Sequence, residues 1–322
     1  MMRKSMISLI SFLSLYVGTI TAATYGNPSQ LKINEIQVAN IDRFIDPSFN
    51  YGGWIELYNP TDSIIRLSGL YISDDVSYLK RYRLSSGIGS VQPHSFKNIW
   101  FDHYDTGNKY STNASKQVDF KLDYDGGTIY ISDTKGNIVL SKTYPPAIQR
   151  CSYACTEDGG DEWRYCSTPT PEASNNSSTF ADVQLEAPVV DTDSRLFTSS
   201  FSIHVTVPEG ATLFYTTDGS TPTLENGIKK TSGTIFINRP TKVLRFRAFK
   251  DGFLPSAVVT RTYIYQDRNY YLPIVSVVTD SLNLYDKKIG AYTVGTNGIS
   301  GNGISSTSNK NRSWERPVNF EY

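Results

Sequence analysis

The sequence predicts an all-β protein of two successive β-sandwiches followed by a short piece of a further unit. Three observations predict it. Aromatic residues make up 13% of the chain, with 22 Tyr, and Tyr, Val, Ile and Thr suit pleated, half-buried strands. Short apolar–polar alternations recur between Gly-, Pro-, Asn- and Asp-rich turns, the spacing of sandwich folds. No stretch after residue 23 carries helical periodicity of useful length.

The first 23 residues stand apart. Arg3 and Lys4 precede an apolar run from Met6 to Ile20, and Thr21, Ala22 and Ala23 offer small residues for cleavage. This is the pattern of a secretory signal peptide. The run is short for a membrane span and is interrupted by Ser and Gly, so no transmembrane anchor is expected after cleavage. The mature chain is therefore expected outside the cytoplasm: secreted, periplasmic or on the cell surface.

Strands are predicted in order. Leu31 to Val38 alternates, with the register shifting once near Glu35. Strands follow at Trp54–Tyr58, Ile64–Leu67, Leu70–Ser73, Phe96–Phe101, Gln117–Leu122, Thr128–Ser132 and Ile138–Thr143. Asn59-Pro60-Thr61-Asp62 is turn chemistry, and Asp125-Gly126-Gly127 and Thr134-Lys135-Gly136-Asn137 predict hairpin turns. Arg150–Thr156 and Glu162–Ser167 flank a hairpin loop, and the Pro- and Ser-rich residues 168–178 read as a domain exit. A second β-rich block runs from about 185 to 265, with strands at 201–207, 212–217, 234–237, 243–249 and 258–265. The run Leu272–Val278 reads as a strand buried on both faces, Asp280–Tyr285 as a short helix or turn, and residues 295–311 as a mobile loop. The last strand, Pro317–Tyr322, has no partner after it, which predicts a truncated final unit.

Trp54, Leu57 and Leu70 are the expected core anchors of the first sandwich. Glu56, beside Trp54, is expected to be a paired structural carboxylate. Asp74, Asp75, Asp102 and Asp105 could supply oxygen ligands to calcium but lack the spacing of a calcium loop, so solvated loop acids are expected. The three Cys lie within 16 residues and have no His nearby; one disulfide is expected, Cys166 with either Cys151 or Cys155, rather than a zinc site. Glycines at 295, 298, 301 and 303 lack the strand-to-helix context and following Lys-Ser or Lys-Thr of a phosphate cradle. No cofactor is expected. Basic and acidic residues balance at 31 each, which argues against nucleic-acid binding; an unknown protein or glycan at the cell surface is the expected partner.

Three resemblances refine this reading. Ile33-Asn34-Glu35-Ile36, Gly53-Trp54-Ile55-Glu56-Leu57-Tyr58-Asn59-Pro60 and Ile65 to Asp75, with Trp163-Arg164-Tyr165 and Thr168-Pro169-Thr170-Pro171, resemble a lamin-tail domain over 28–177. That family implies an immunoglobulin-like sandwich used as an accessory module, without catalytic residues. Phe214-Tyr215-Thr216-Thr217-Asp218-Gly219-Ser220-Thr221-Pro222-Thr223, with Leu244 to Gly252, is similar to the small sandwich at the C-terminus of chitobiase and hexosaminidase enzymes, over 185–266 after a linker at 178–184. It implies a glycan-proximal role. Leu272 to Asp280 and Trp314 to Tyr322 resemble the opening of a CotH-type kinase domain, 271–322. These resemblances imply an exported accessory or binding protein, or the N-terminal part of an exported atypical kinase. No phosphotransfer is expected from residues 1–322 themselves.

Overall fold

A computed structural model describes residues 24–102, 116–231, 233–301, 304–312 and 314–322. The predicted leader, His103 and Asp105 lie outside the described residues. Its regular structure is almost entirely strand, in the several open sheets expected of sandwiches.

The first sandwich contains β1 (Lys32–Gln37), β2 (Gly53–Tyr58), β3 (Ile65–Arg66), β4 (Tyr71–Ser73), β5 (Tyr82–Arg83), β6 (Ser90–Val91) and β7 (Phe96–Phe101). It continues with β8 (Gln117–Val118), β9 (Gly127–Ser132), β10 (Ile138–Tyr144), β11 (Ser152–Cys155), β12 (Trp163–Cys166) and β13 (Phe180–Ala181). A seven-stranded sheet, in the order β13-β12-β11-β1-β2-β7-β8, faces a four-stranded sheet, β10-β9-β4-β5. The core between them includes Ile33, Ile55, Leu57, Ile72, Ile99 and Ile129. Burying such branched side chains stabilises the fold by about 1.5–3 kcal/mol each.

Trp54, Leu57 and Leu70 are all buried, at 0%, 0% and 8% exposure, but not in one place. Side chains alternate faces along a strand, so Trp54 points away from Leu57. Leu57 and Leu70 sit in the core, whereas Trp54 packs on the outer face of the large sheet beside Phe44 and Trp100, with ring centroids 6.3 and 6.2 Å away. The register shift expected near Glu35 is a bulge between Ile33 and Glu35.

Of the three expected hairpin turns, two form and one differs. Residues 134–137 and 157–161 close hairpins β9–β10 and β11–β12. Asp125-Gly126 instead carries the chain from the large sheet to the small one, because β8 pairs with β7 and β9 with β4 and β10. Gly126 takes φ +96°, and a Cβ there would lie 2.9 Å from the Tyr144 carbonyl oxygen. The stretch 178–184, expected as a linker, contributes β13 to the large sheet. Its polar composition hid a strand that is only two residues long.

The second sandwich holds β14 (Val189–Val190), β15 (Arg195–Phe197), β16 (Phe201–Thr206), β17 (Thr212–Thr216), β18 (Ile228–Lys230), β19 (Gly233–Ile237), β20 (Lys242–Phe249) and β21 (Val259–Tyr265). The order β14-β16-β19 faces β15-β21-β20-β17-β18 around Phe197, Ile203, Leu213, Leu244, Phe246 and Tyr263.

The last segment has β22 (Ser276–Val278), α1 (Ser281–Tyr285), β23 (Ile299–Gly301), β24 (Ile304–Ser308) and β25 (Asn319–Glu321). Asp280 caps α1, its carboxylate accepting from the Leu282 amide at 3.0 Å. Two expectations fail here. The 295–311 stretch is not a plain loop but carries the β23–β24 hairpin. The 272–278 run is not buried on both faces: Leu272 is 81% and Val277 58% exposed, and only three of its residues form strand. Continuous apolar sequence cannot distinguish a covered sheet from an uncovered one.

Candidate functional site

Of the acidic residues considered for calcium, the described ones, Asp74, Asp75 and Asp102, do not converge. Asp74 pairs with Arg81. Asp75 caps a short 3-10 turn by accepting from the amide and hydroxyl of Ser77, and these bonds hold its carboxyl below the usual range. Asp102 lies elsewhere, 3.8 Å from Lys121. Among the described residues no three acidic, His or Cys side chains stand so as to hold a metal ion.

The expected disulfide is not formed; Cys151, Cys155 and Cys166 are free and buried. The register explains one half of this. Cys166 opposes Ser152 while Cys155 opposes Trp163, so Cys155 and Cys166 occupy opposite ends and opposite faces of the hairpin. Cys155 donates to the Gly160 carbonyl at 3.2 Å, and Cys151 packs with Ala181 and Leu254. Burial pushes the thiols of Cys151 and Cys155 up to about 11 and about 12.

Two carboxylates do meet. The bulge at Asn34 sets Glu35 directly opposite Glu56 on the outer face of the large sheet, and both are fully buried. What buries them is the 168–176 segment, laid across them as a strap. Glu35 accepts from the Ser152 hydroxyl and from the Thr170 amide at 3.2 Å; Glu56 accepts from the Asn34 side chain at 3.1 Å and the Glu172 amide at 2.6 Å. Asn175 pins the strap by donating to the carbonyls of Asn34 and Cys155 at 3.1 and 3.2 Å. Burial raises Glu35 to about 7 and Glu56 to about 9; the Glu35 charge adds to the rise of Glu56, and the Asp158 charge adds to that of both. A glycosidase also pairs two carboxyl groups, but it holds them across an open cleft. Here the strap fills the place of a substrate, and the pair ties strap to sheet.

An open cavity of about 220 Å³ lies at the end of β2 and β7, roofed by residues 315–317. Tyr51 and Tyr124 supply aromatic faces, and Asn50, Asp102, Lys121 and Glu315 supply polar groups. Lys121 reaches both Asp102 at 3.8 Å and Glu315 at 3.3 Å. Below the floor, Asp46 accepts from the Ser48 and Asn50 amides at 2.7 and 2.9 Å through one oxygen. Its second oxygen is buried without a partner, and burial, with the nearby Asp102 charge adding to it, raises Asp46 to about 6. Gly52 permits this approach: a Cβ there would lie 2.9 Å from that oxygen and 3.1 Å from Asp102 Cβ. The roof is held by Arg316, whose guanidinium lies over the rings of Trp314 and Tyr51 at 4.9 and 5.4 Å and donates to the Ile289 carbonyl. No sequence pattern announced this site, because its residues come from four separated stretches.

In the second sandwich the Tyr215–Pro222 run ends β17 in a self-bonded turn. Thr216 donates to the Ser220 carbonyl at 2.6 Å, Asp218 accepts from the Ser220 amide at 3.0 Å, and Gly219 takes φ +83°. Residues 193–260 match the family model of the chitobiase/β-hexosaminidase C-terminal domain. No curated protein matches the chain. The chitobiase C-terminal-like domain thus falls within the second sandwich, and its signature residues build a turn rather than a reactive centre. Its outer face on β16 and β19 presents Phe236, 63% exposed and opposite Ser202, one register step from exposed His204.

Proposed function

We propose that this chain is an exported, carbohydrate-associated accessory protein whose sandwiches present a glycan-binding site. The match of residues 193–260 to the chitobiase/β-hexosaminidase C-terminal domain carries this reading. Export is supported by the basic, apolar and small-residue order of the first 23 residues. Among the described residues no helix is long and apolar enough to cross a membrane. The first sandwich, over 28–177, keeps its resemblance to lamin-tail domains as part of this proposal.

The cavity beside Tyr51 and Tyr124 is the proposed glycan site. Aromatic rings stack on the C–H faces of sugars, and convergent carboxylate, amide and ammonium groups fix their hydroxyls. Its volume of about 220 Å³ suits one sugar ring rather than a chain. A glycan array with the mature chain tests this reading. Binding is expected, and Tyr124→Ala and Asp102→Ala should weaken it by about tenfold or more, the loss of one good contact each. A mature chain that retains no glycan overturns it.

A second reading is the N-terminal part of an exported CotH-type kinase. The resemblance of 271–322 favours it, as does the β22–β25 pair, which starts a sheet separate from both sandwiches. Transfer of labelled phosphate from ATP with Mg²⁺ by a polypeptide containing these residues would support it.

A further inference from the structure

The two sandwiches meet across a concentration of positive charge. Inward-facing Leu244 and Phe246 place Arg245 and Arg247 together on the outer face of β20. In an isolated sandwich that face would meet water. Here Arg247 is 4% exposed, donating to the Ser256 carbonyl at 2.9 Å. From the first sandwich comes Arg150, 5% exposed and held at φ +65°. Arg150 donates to Thr221 Oγ1 at 3.1 Å, and Arg245 donates to the same oxygen at 3.2 Å. Two guanidinium groups are thus brought within about 6 Å of each other by one neutral hydroxyl. Arg43, bonded to the Ser167 carbonyl at 2.8 Å, adds a fourth positive group from the loop after β1.

Negative charge does not match this. Among the described residues Asp42 pairs with Arg150, and Arg43, Arg245 and Arg247 have no carboxylate partner. Asp42, already paired with Arg150, and Asp280, its carboxylate occupied in capping α1, face Arg245 only at longer range. Arg245 Nε is buried without an acceptor. Burial, with the nearby Arg150 charge adding to it, lowers Arg245 and takes Arg247 down to about 10.

We propose that this junction, where Arg150 and Arg245 meet at Thr221 with Arg247 beside Arg245 on the same strand face, binds an oxyanion group: a carboxylate, sulfate or phosphate. The guanidinium fork matches such groups in two-point geometry, and Arg245 Nε is the donor left for it. Half-buried Arg245, Thr221 and Asp42 leave the rim open to solvent. An acidic sugar is the source that fits a carbohydrate-associated protein; that one clause rests on the reading above, whereas the anion site itself does not.

The test compares thermal unfolding of the mature chain in chloride, sulfate, phosphate and an oligogalacturonate at matched ionic strength. Sulfate or phosphate should raise Tm over chloride by roughly 2–4 °C. Arg245→Gln should lose that increment while still unfolding cooperatively in chloride, Arg245→Lys should keep part of it, and exposed Arg239→Gln should keep it all. A rise with the oligogalacturonate as well assigns the site to acidic glycans; a rise with the inorganic anions alone assigns it to free phosphate or sulfate. Equal Tm in all four solutions overturns the proposal. Neutral-glycan binding at the Tyr124 cavity reads the earlier proposal separately, so one can fail without the other.

Discussion

Glu35 and Glu56 stand opposite each other in the dark of the protein, and among the described residues no cation stands with them. Their neutral forms are the ones the fold prefers. Both hold a proton more tightly folded, at about 7 and about 9, than at the ordinary 4.5. The stabilisation is therefore complete below about pH 4.5 and is lost as pH rises through 7 and then 9. Tm should fall from pH 5 to pH 9, and Glu56→Gln should flatten the fall above pH 7, measured by thermal unfolding across that range. Glu56 was legible from its place beside Trp54 as a structural group; its partner across the ladder was not, because a register shift near Glu35 can be read along one strand but the residue it faces is set by the pairing of β1 with β2. The cysteines are the opposite case. Sixteen residues of sequence proximity suggested a bridge, but proximity along a hairpin does not place sulfurs on one face. Buried thiols held at about 11 and about 12 should resist a thiol reagent in the native state. Three equivalents should react after denaturation and essentially none before; a native chain already short of thiols would restore the disulfide.

At the scale of elements, alternation was the reliable signal. Phe96–Phe101 was read with the bounds it has, and β9, β10, β16, β17 and β20 were read to within a residue or two. Elements of two or three residues, such as β5, β13 and β18, were missed, since no period shows in so short a span. The strap was misread for a different reason. Pro-, Ser- and Asn-rich sequence is what a solvated exit looks like, and equally what a segment needs when it must offer amides and hydroxyls to buried carboxylates. Asn175 decides between these, because it is fully buried and donates to the Asn34 and Cys155 carbonyls of the sheet beneath the strap. Asn175→Ala should destabilise the chain by about 2–3 kcal/mol, read by chemical denaturation. A loss within a few tenths would mean that the strap is dispensable.

For the whole molecule, composition and periodicity sufficed for an all-β, two-sandwich reading, and neither could show how the parts touch. The Tyr124 cavity and the Thr221 junction both lie between units, where residues distant in sequence meet. Such sites are invisible to any window moved along a chain. The junction also answers why a sheet face carries two arginines at alternate positions: it is a contact surface, not a solvated one.

The join between the sandwiches has a mechanical consequence. β13 ends at Ala181 in the first sheet; Leu254 donates to the Val183 carbonyl, and Gln184 bridges Leu254. With Cys151, Ala181 and Leu254 packed together at the same point, the chain has no slack with which to swivel. A tug on one sandwich is therefore handed to the other as a rotation of the whole, so the pair behaves as a stiff arm that fixes the bearing of whatever is attached beyond it.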